Sequence, residues 1–313
     1  KYGLEMQVRA ADLYFSEEAS YRGVGRELDI DPHTAWGWIQ ELGEQCKSFE
    51  EVAHELKPQW SGYLLADGKS VFVKGVEYAL LLTGDVGTHD IPYASFHPSE
   101  DTETWMSTLR GVQGALGYPL QGLIIDGDLG LMKACKLLYP SVPLQLCVRH
   151  VESFLSYYIR YKLKIPEDKA RPFLQTARQL LYVEDKTQRD HALQDYTARR
   201  RSFQRRGLGT MVRLLERKFP YLWTHLDHPG MPRTNNIIEG IIRQLSRKIT
   251  DTDGFETPET AWNTLKLLIM NYRFHSFSCS RLPGHNGFSP LELAKVSTEG
   301  LHWVRFSQRQ RST

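Results

Sequence analysis

The chain has 313 residues, 41% of them hydrophobic and 24% charged, with a formal net charge of +2. That is length for two or three domains with a sizeable core, and it excludes a disordered chain, a collagen-like rod and a coiled coil. No stretch approaches the roughly 18 uninterrupted apolar residues of a membrane-spanning helix. The opening KYGLEMQV has neither a signal core nor a transit pattern, so a cytoplasmic protein with no membrane partner is expected. Because it begins without Met, it is expected to be a piece of a longer protein. Four scattered cysteines (Cys46, Cys135, Cys147, Cys279) with no C-x-x-C pair are expected to be reduced thiols.

The charge is unevenly spread. Residues 1–59 hold six Lys/Arg against twelve Asp/Glu, whereas residues 199–250 hold twelve against three. A polyanionic partner is therefore expected for the second half of the chain.

Residues 1–59 form the first expected domain. Ser20 caps a helix over 21–28, and Asp29-Ile30-Asp31 makes a tight turn. Asp31 then caps a second helix that starts at Pro32. Ala35, Trp38, Ile39 and Leu42 make its buried stripe. Helix, short turn and helix read either as a DNA-binding helix-turn-helix or as an ordinary helical corner. In the first case His33, Trp36, Gly37 and Gln40 form the exposed face that meets DNA.

From residue 60 to 150 the pattern becomes α/β. Strands are expected over 62–73, 76–86, 90–97, 120–126 and 142–147, with helices over 102–116 and 129–139. Residues 151–230 carry only helical signals, broken at Pro166 and Pro172. Two further helices, 236–249 and 260–274, fall within 231–296, and residues 297–313 read as a loose basic tail.

Three acids could carry chemistry. Asp126 ends an apolar strand, where α/β folds place ligands, although Asp-Gly there could also be a plain turn. Asp128, two residues on, is an alternative. Asp67-Gly68 lies between two strand-like runs and could equally be a hairpin turn. Glu239 has capping-box spacing from Asn236 and could pair with Arg243. Taken together, two acids from one sheet and one from a helix packed on it suit two Mg²⁺ or Mn²⁺ ions about 3.5–4 Å apart in phosphoryl transfer. The surrounding cations, Arg243, Arg247 and Lys248 among them, would hold the polyanion.

In this order LLADGKSV, IIDGDLGLMKAC, YPSVPLQLCVRH and TNNIIEGIIRQLSRK resemble the DDE transposases of the Mutator-like group and related prokaryotic insertion sequences. The resemblance implies an RNase H-like mixed sheet interrupted by an all-α insertion and preceded by a small helix-turn-helix domain. It further implies Asp67, Asp126 and Glu239 as catalytic, metal-holding acids. The chain would act as a Mg²⁺-dependent polynucleotidyl transferase that cuts and joins DNA at element ends, as a homodimer or larger, in a prokaryotic nucleoid. Cys147 and His150 match the family's C-x-x-H. They could bind zinc or form a buried structural pair, or His150 could contact the scissile phosphate or flanking DNA, as the resemblance implies. Arg199, Arg200, Arg201, Arg205 and Arg206 could be a solvated helix face, but they fall in the insertion, where backbone contact with DNA is expected. The alternatives are a non-cutting helix-turn-helix regulator on the same scaffold and a structure-selective nuclease.

Overall fold

The computed structural model describes residues 3–252, 254–280 and 282–309. Helices α1 (Leu4–Ala11), α2 (Tyr21–Leu28), α3 (Pro32–Glu44) and α4 (Phe49–Leu56) come first. Strands β1 (Tyr63–Val73), β2 (Val76–Asp85) and β3 (Ala94–His97) follow, then α5 (Thr102–Arg110), β4 (Gly122–Ile125), α6 (Leu129–Leu138) and β5 (Leu144–Leu146). The rest is helical: α7 (Val148–Tyr157), α8 (Glu167–Leu181), α9 (Lys186–Phe203), α10 (Gly209–Glu216), α11 (Asn236–Asp251), α12 (Pro258–Phe274), α13 (Pro290–Leu293) and α14 (Trp303–Ser307). The described residues thus form a mixed α/β fold with a five-stranded sheet, ordered β3-β2-β1-β4-β5.

The sheet is mixed for a local reason. Lys74 and Gly75 both adopt positive φ (48° and 77°), the geometry of a two-residue turn that folds β2 back on β1. Asp67 and Gly68 therefore lie inside β1, not at its turn. β3 runs antiparallel to β2, with Leu81 opposite Ser95. β4 pairs parallel with β1 and β5 parallel with β4, and such pairs need the longer crossovers that α5 and α6 supply. Leu64, Leu65, Leu123, Ile124 and Ile125 are all buried, as expected of central strands covered on both faces.

The chain divides into two compact units. One holds Lys1–Gly62, Asp67–Pro119 and Ile237–Thr313; the other holds Tyr63–Ala66 and Leu120–Asn236.

In the first unit the opening helices do not stand apart. α3 packs on α12 and on α2, and α1 packs on α14. Gly43 makes the α3–α12 approach possible, since a Cβ there would sit 2.6 Å from the Asn263 Cβ and backbone oxygen. The caps expected from sequence are formed, with Ser20 accepting from the Gly23 N–H and Asp31 from the His33 N–H. The end of the chain differs from the expected loose tail. Trp303 is buried and donates to Asp12, Arg305 pairs with Glu5, and Arg309 pairs with Glu51. Its basic residues dock because the first helices are acidic; residues 310–313 lie outside the described residues. Below α12, Arg273 and Asp90 form a wholly buried ion pair, with Nε to Oδ1 at 2.7 Å and Nη2 to Oδ2 at 2.8 Å. Trp60 donates to the same carboxylate.

In the second unit, α8 packs between α7 and α9. Pro166 precedes α8, but Pro172 lies within it and does not break it. A proline inside a helix removes one backbone bond. Burial of Phe173, Ala177, Leu180 and Leu181 along the same helix outweighs that loss. None of the described helices is long and apolar enough to cross a membrane.

Candidate active site

The parallel register defines a row of paired residues in the second unit. Ala66 lies beside Ile125, and Ile125 beside Leu146. Asp126 and Cys147 come next, at the carboxyl ends of β4 and β5, whereas β1 runs on through Asp67 to Val73. In open α/β sheets the carboxyl ends of strands are where ligands bind.

Asp126 is half-buried and shaped by its own turn. Gly127 has φ of 100°, a conformation that L side chains rarely adopt. This curl lets the Asp128 N–H donate to Asp126 Oδ1 at 2.8 Å. Asp128 itself caps α6, its Oδ1 accepting from Leu131 N–H. Of the two acids, Asp128 is the one spent on a helix end. The Lys218 ammonium lies 3.6 Å from where a Gly127 Cβ would sit. Burial draws its pKa below the usual lysine value, while the Asp126 carboxylate opposes that shift.

Cys147 is fully buried at the start of α7, where its N–H donates to the Ile125 carbonyl at 2.8 Å. His150, one turn into α7, is half-buried. The segment that leads into α11 is clipped to the same place. Val148 N–H donates to the Arg233 carbonyl, and Arg149 donates to Asn236 Oδ1 at 2.7 Å. Asn236 is the first residue of α11, and its side-chain oxygen is engaged with Arg149. Glu239 follows one turn along.

In the first unit, Asp67 Oδ1 accepts from Gly68 N–H at 2.9 Å. The Glu100 carboxylate lies so close to Gly68 that any Cβ there would collide with it, and it accepts from Trp105 Nε1. Ile238, Ile241 and Leu245 bury one face of α11, leaving Glu239 half-buried and Arg243 and Arg247 exposed.

Several cations proposed from sequence have other occupations. Lys248 is 5% exposed, donates to the Ala19 carbonyl at 2.7 Å and lies 3.6 Å over the Tyr14 ring. It is part of the core and is corrected as a DNA contact. Gln40 is corrected likewise: it is 7% exposed and donates to Thr264, because α3 is covered by α12 as well as α2. His33 is exposed and stacked on a half-buried Trp36, ring centroids 5.1 Å apart. Arg199 pairs with Asp195, and Arg200 grips both oxygens of Glu216. Arg201, Arg205 and Arg206 are exposed.

Two residues near the acids had no visible mark in the sequence. Glu100 sits in a run of polar helix-start residues, and Lys218 in a basic stretch after α10. Only a three-dimensional neighbour distinguishes them from their surroundings.

Comparison with known proteins gives one clear result. The sequence model of the family described as "Transposase, Mutator family" matches residues 66–276, about two thirds of the chain. No curated protein matches. Among solved structures, the cryoEM structure of a simian T-cell lymphotropic virus intasome in complex with PP2A regulatory subunit B56 gamma shares 12% identity, over 55% of this chain and 68% of that one. Its TM-score is 0.24, too low to support an argument on fold or function.

Proposed function

We propose that this chain, which belongs to the Mutator family of transposases, cuts and joins DNA strands at the ends of an insertion sequence with Asp67, Asp126 and Glu239 as its catalytic acids. The observation that carries the reading is the register: Ala66 pairs with Ile125 in adjacent parallel strands, and each is followed by an acid, Asp67 within β1 and Asp126 just past the end of β4.

The donor set fits hard divalent cations, which prefer carboxylate oxygens. Two Mg²⁺ or Mn²⁺ ions there would activate the attacking water or 3′-hydroxyl and stabilise the leaving oxygen. The protein's own contribution is orientation. The Asp128 N–H fixes one oxygen of Asp126, the Gly68 N–H fixes one of Asp67, and Glu239 rides on a helix whose first residue is tied to Arg149. Lys218 and the exposed Arg243 and Arg247 would neutralise phosphate oxygens during attack, and His150 would contact the scissile phosphate or the flanking DNA.

The hairpin β1–β2 feeding parallel β4 and β5 supports an RNase H-like reading of the sheet, with residues 151–230 as its helical insertion. α2 and α3 would act as a helix-turn-helix that meets DNA through His33 and Trp36. Arg201, Arg205 and Arg206 would contact backbone phosphates. Joining two element ends calls for a dimer or larger assembly.

The test is cleavage of a duplex bearing the element's terminal repeat, with and without Mg²⁺. Wild type should cut only with the metal. Glu239→Gln should lose on the order of 1000-fold in rate, since the ions contribute several kcal/mol, with DNA affinity retained. Cutting by that variant at the wild-type rate would sink the assignment. DNA binding by wild type without any metal-dependent cleavage would favour the regulator.

A further inference from the structure

α7 has two unlike faces. Val148, Val151 and Leu155 are buried, but Phe154, Tyr157 and Tyr161 are 38%, 53% and 55% exposed. His150, Phe154 and Tyr157 recur at steps of four and three on one face of α7, and Tyr161, on the π-helical turn over residues 158–162 that follows, extends that face through its contact with Tyr157. Three large rings in a row on a solvent face are not the scattered apolar residues of an ordinary surface.

The rings are arranged with cations. Tyr157 and Tyr161 lie 5.1 Å apart at 40°, and the Arg160 guanidinium sits 5.3 Å from the Tyr161 ring. At the other end Lys218 lies 5.6 Å from the Phe154 ring, and the same Lys218 borders Asp126 and Gly127. Between residues 148 and 165 there are four cations (Arg149, Arg160, Lys162, Lys164) and one acid, Glu152. That acid is occupied elsewhere, accepting from the Tyr182 hydroxyl at 2.7 Å and lying near Arg178.

We infer that this face of α7 and of the turn that follows it is a stacking platform for unpaired nucleotides of a DNA strand, running from beside Asp126 outward along Phe154, Tyr157 and Tyr161. The inference rests on the DNA-cutting reading above and adds the form of DNA that the site holds. Open rings offer stacking to any base whose face is free, and flanking cations meet the phosphates. Paired bases have already spent their faces within the duplex, so the rings discriminate in favour of frayed or single-stranded DNA. A second copy of the same face would set cations against cations, which disfavours self-association as the reason for its exposure.

Fluorescence anisotropy tests this, with the full chain, metal chelated, and a labelled 15-nucleotide single strand beside its duplex. Wild type is expected to bind the single strand. Combined Tyr157→Ala and Tyr161→Ala substitution should weaken that binding about tenfold or more, and duplex affinity should change less than about twofold. Combined Tyr157→Phe and Tyr161→Phe substitution should restore single-strand binding, since the ring and not the hydroxyl stacks. Absence of single-strand binding by wild type, or equal affinity of the alanine variant, would overturn the platform. So would a change from dimer to monomer in the alanine variant, which would make the face a self-association surface. Because cleavage is not the readout, failure here is separable from failure of the transposase reading: an enzyme that cuts but shows no stacking loses only the platform.

Discussion

At the scale of single residues, the protein commits its buried charges carefully. Arg273 and Asp90 are both inaccessible and bind each other through two parallel hydrogen bonds. Breaking such a pair strands a charge in the interior and costs about 3–5 kcal/mol. Arg273→Met is accordingly expected to lower unfolding stability by about that amount in a denaturant titration, and an unchanged midpoint would mean that water reaches the pair. His89 makes a second, pH-dependent prediction. Burial, and then the neighbouring His285, push its pKa down to about 4. The unfolded chain therefore binds more protons than the folded one between about pH 6.5 and 4. Stability from this residue is complete above pH 6.5 and is lost as pH falls toward 4. His89→Phe should flatten that part of the stability curve, and a curve that keeps its slope would assign it to another group.

The sequence made some of these residues visible and not others. Asp126 announces itself as a charged residue ending an apolar run, and Asp67 as an acid between two strand-like segments. Whether Asp67 turned the chain or sat within a strand depended on Lys74 and Gly75 absorbing the turn, which the Asp-Gly signal at 67–68 concealed. Glu100 and Lys218 were silent because their importance lies in what folds next to them, Gly68 in one case and Gly127 in the other.

At the scale of elements, periodicity located helices well and their covering poorly. α2 and α3 occupy the spans expected, with the expected caps. The same pattern misplaced Gln40, because α3 has two partners and a single buried stripe describes only one. The crossing with α12 depends on a missing side chain. Gly43→Ala would force its Cβ to 2.6 Å from Asn263, and overpacking of this kind costs about 1–3 kcal/mol. A fall in thermal midpoint is expected, relieved in part by Asn263→Gly. No loss would mean that α12 shifts freely on α3. The C-terminal segment differs from expectation for a related reason: its basic composition suggests solvent, but Glu5 and Glu51 on the opening helices receive Arg305 and Arg309.

At the scale of the whole molecule, a net charge of +2 hides an acidic opening and a basic second half. Partners drawn from within the chain consume part of that basic charge: Arg200 goes to Glu216, Arg305 to Glu5 and Lys248 to the Ala19 carbonyl. Exposed cations, Arg160, Arg201, Arg205, Arg206, Arg243 and Arg247 among them, are left for a polyanion. Composition could suggest the partner but not which arginines would serve it.

Asp67, Asp126 and Glu239 are proposed to share divalent cations. Crystals of the chain bound to a duplex with the element's terminal repeat, soaked in Mn²⁺ and read by anomalous scattering, test that sharing directly. One or two peaks ligated by those three carboxylates are expected, absent from the same crystals of Asp126→Asn. Peaks held by other residues, or none with DNA in place, would contradict it.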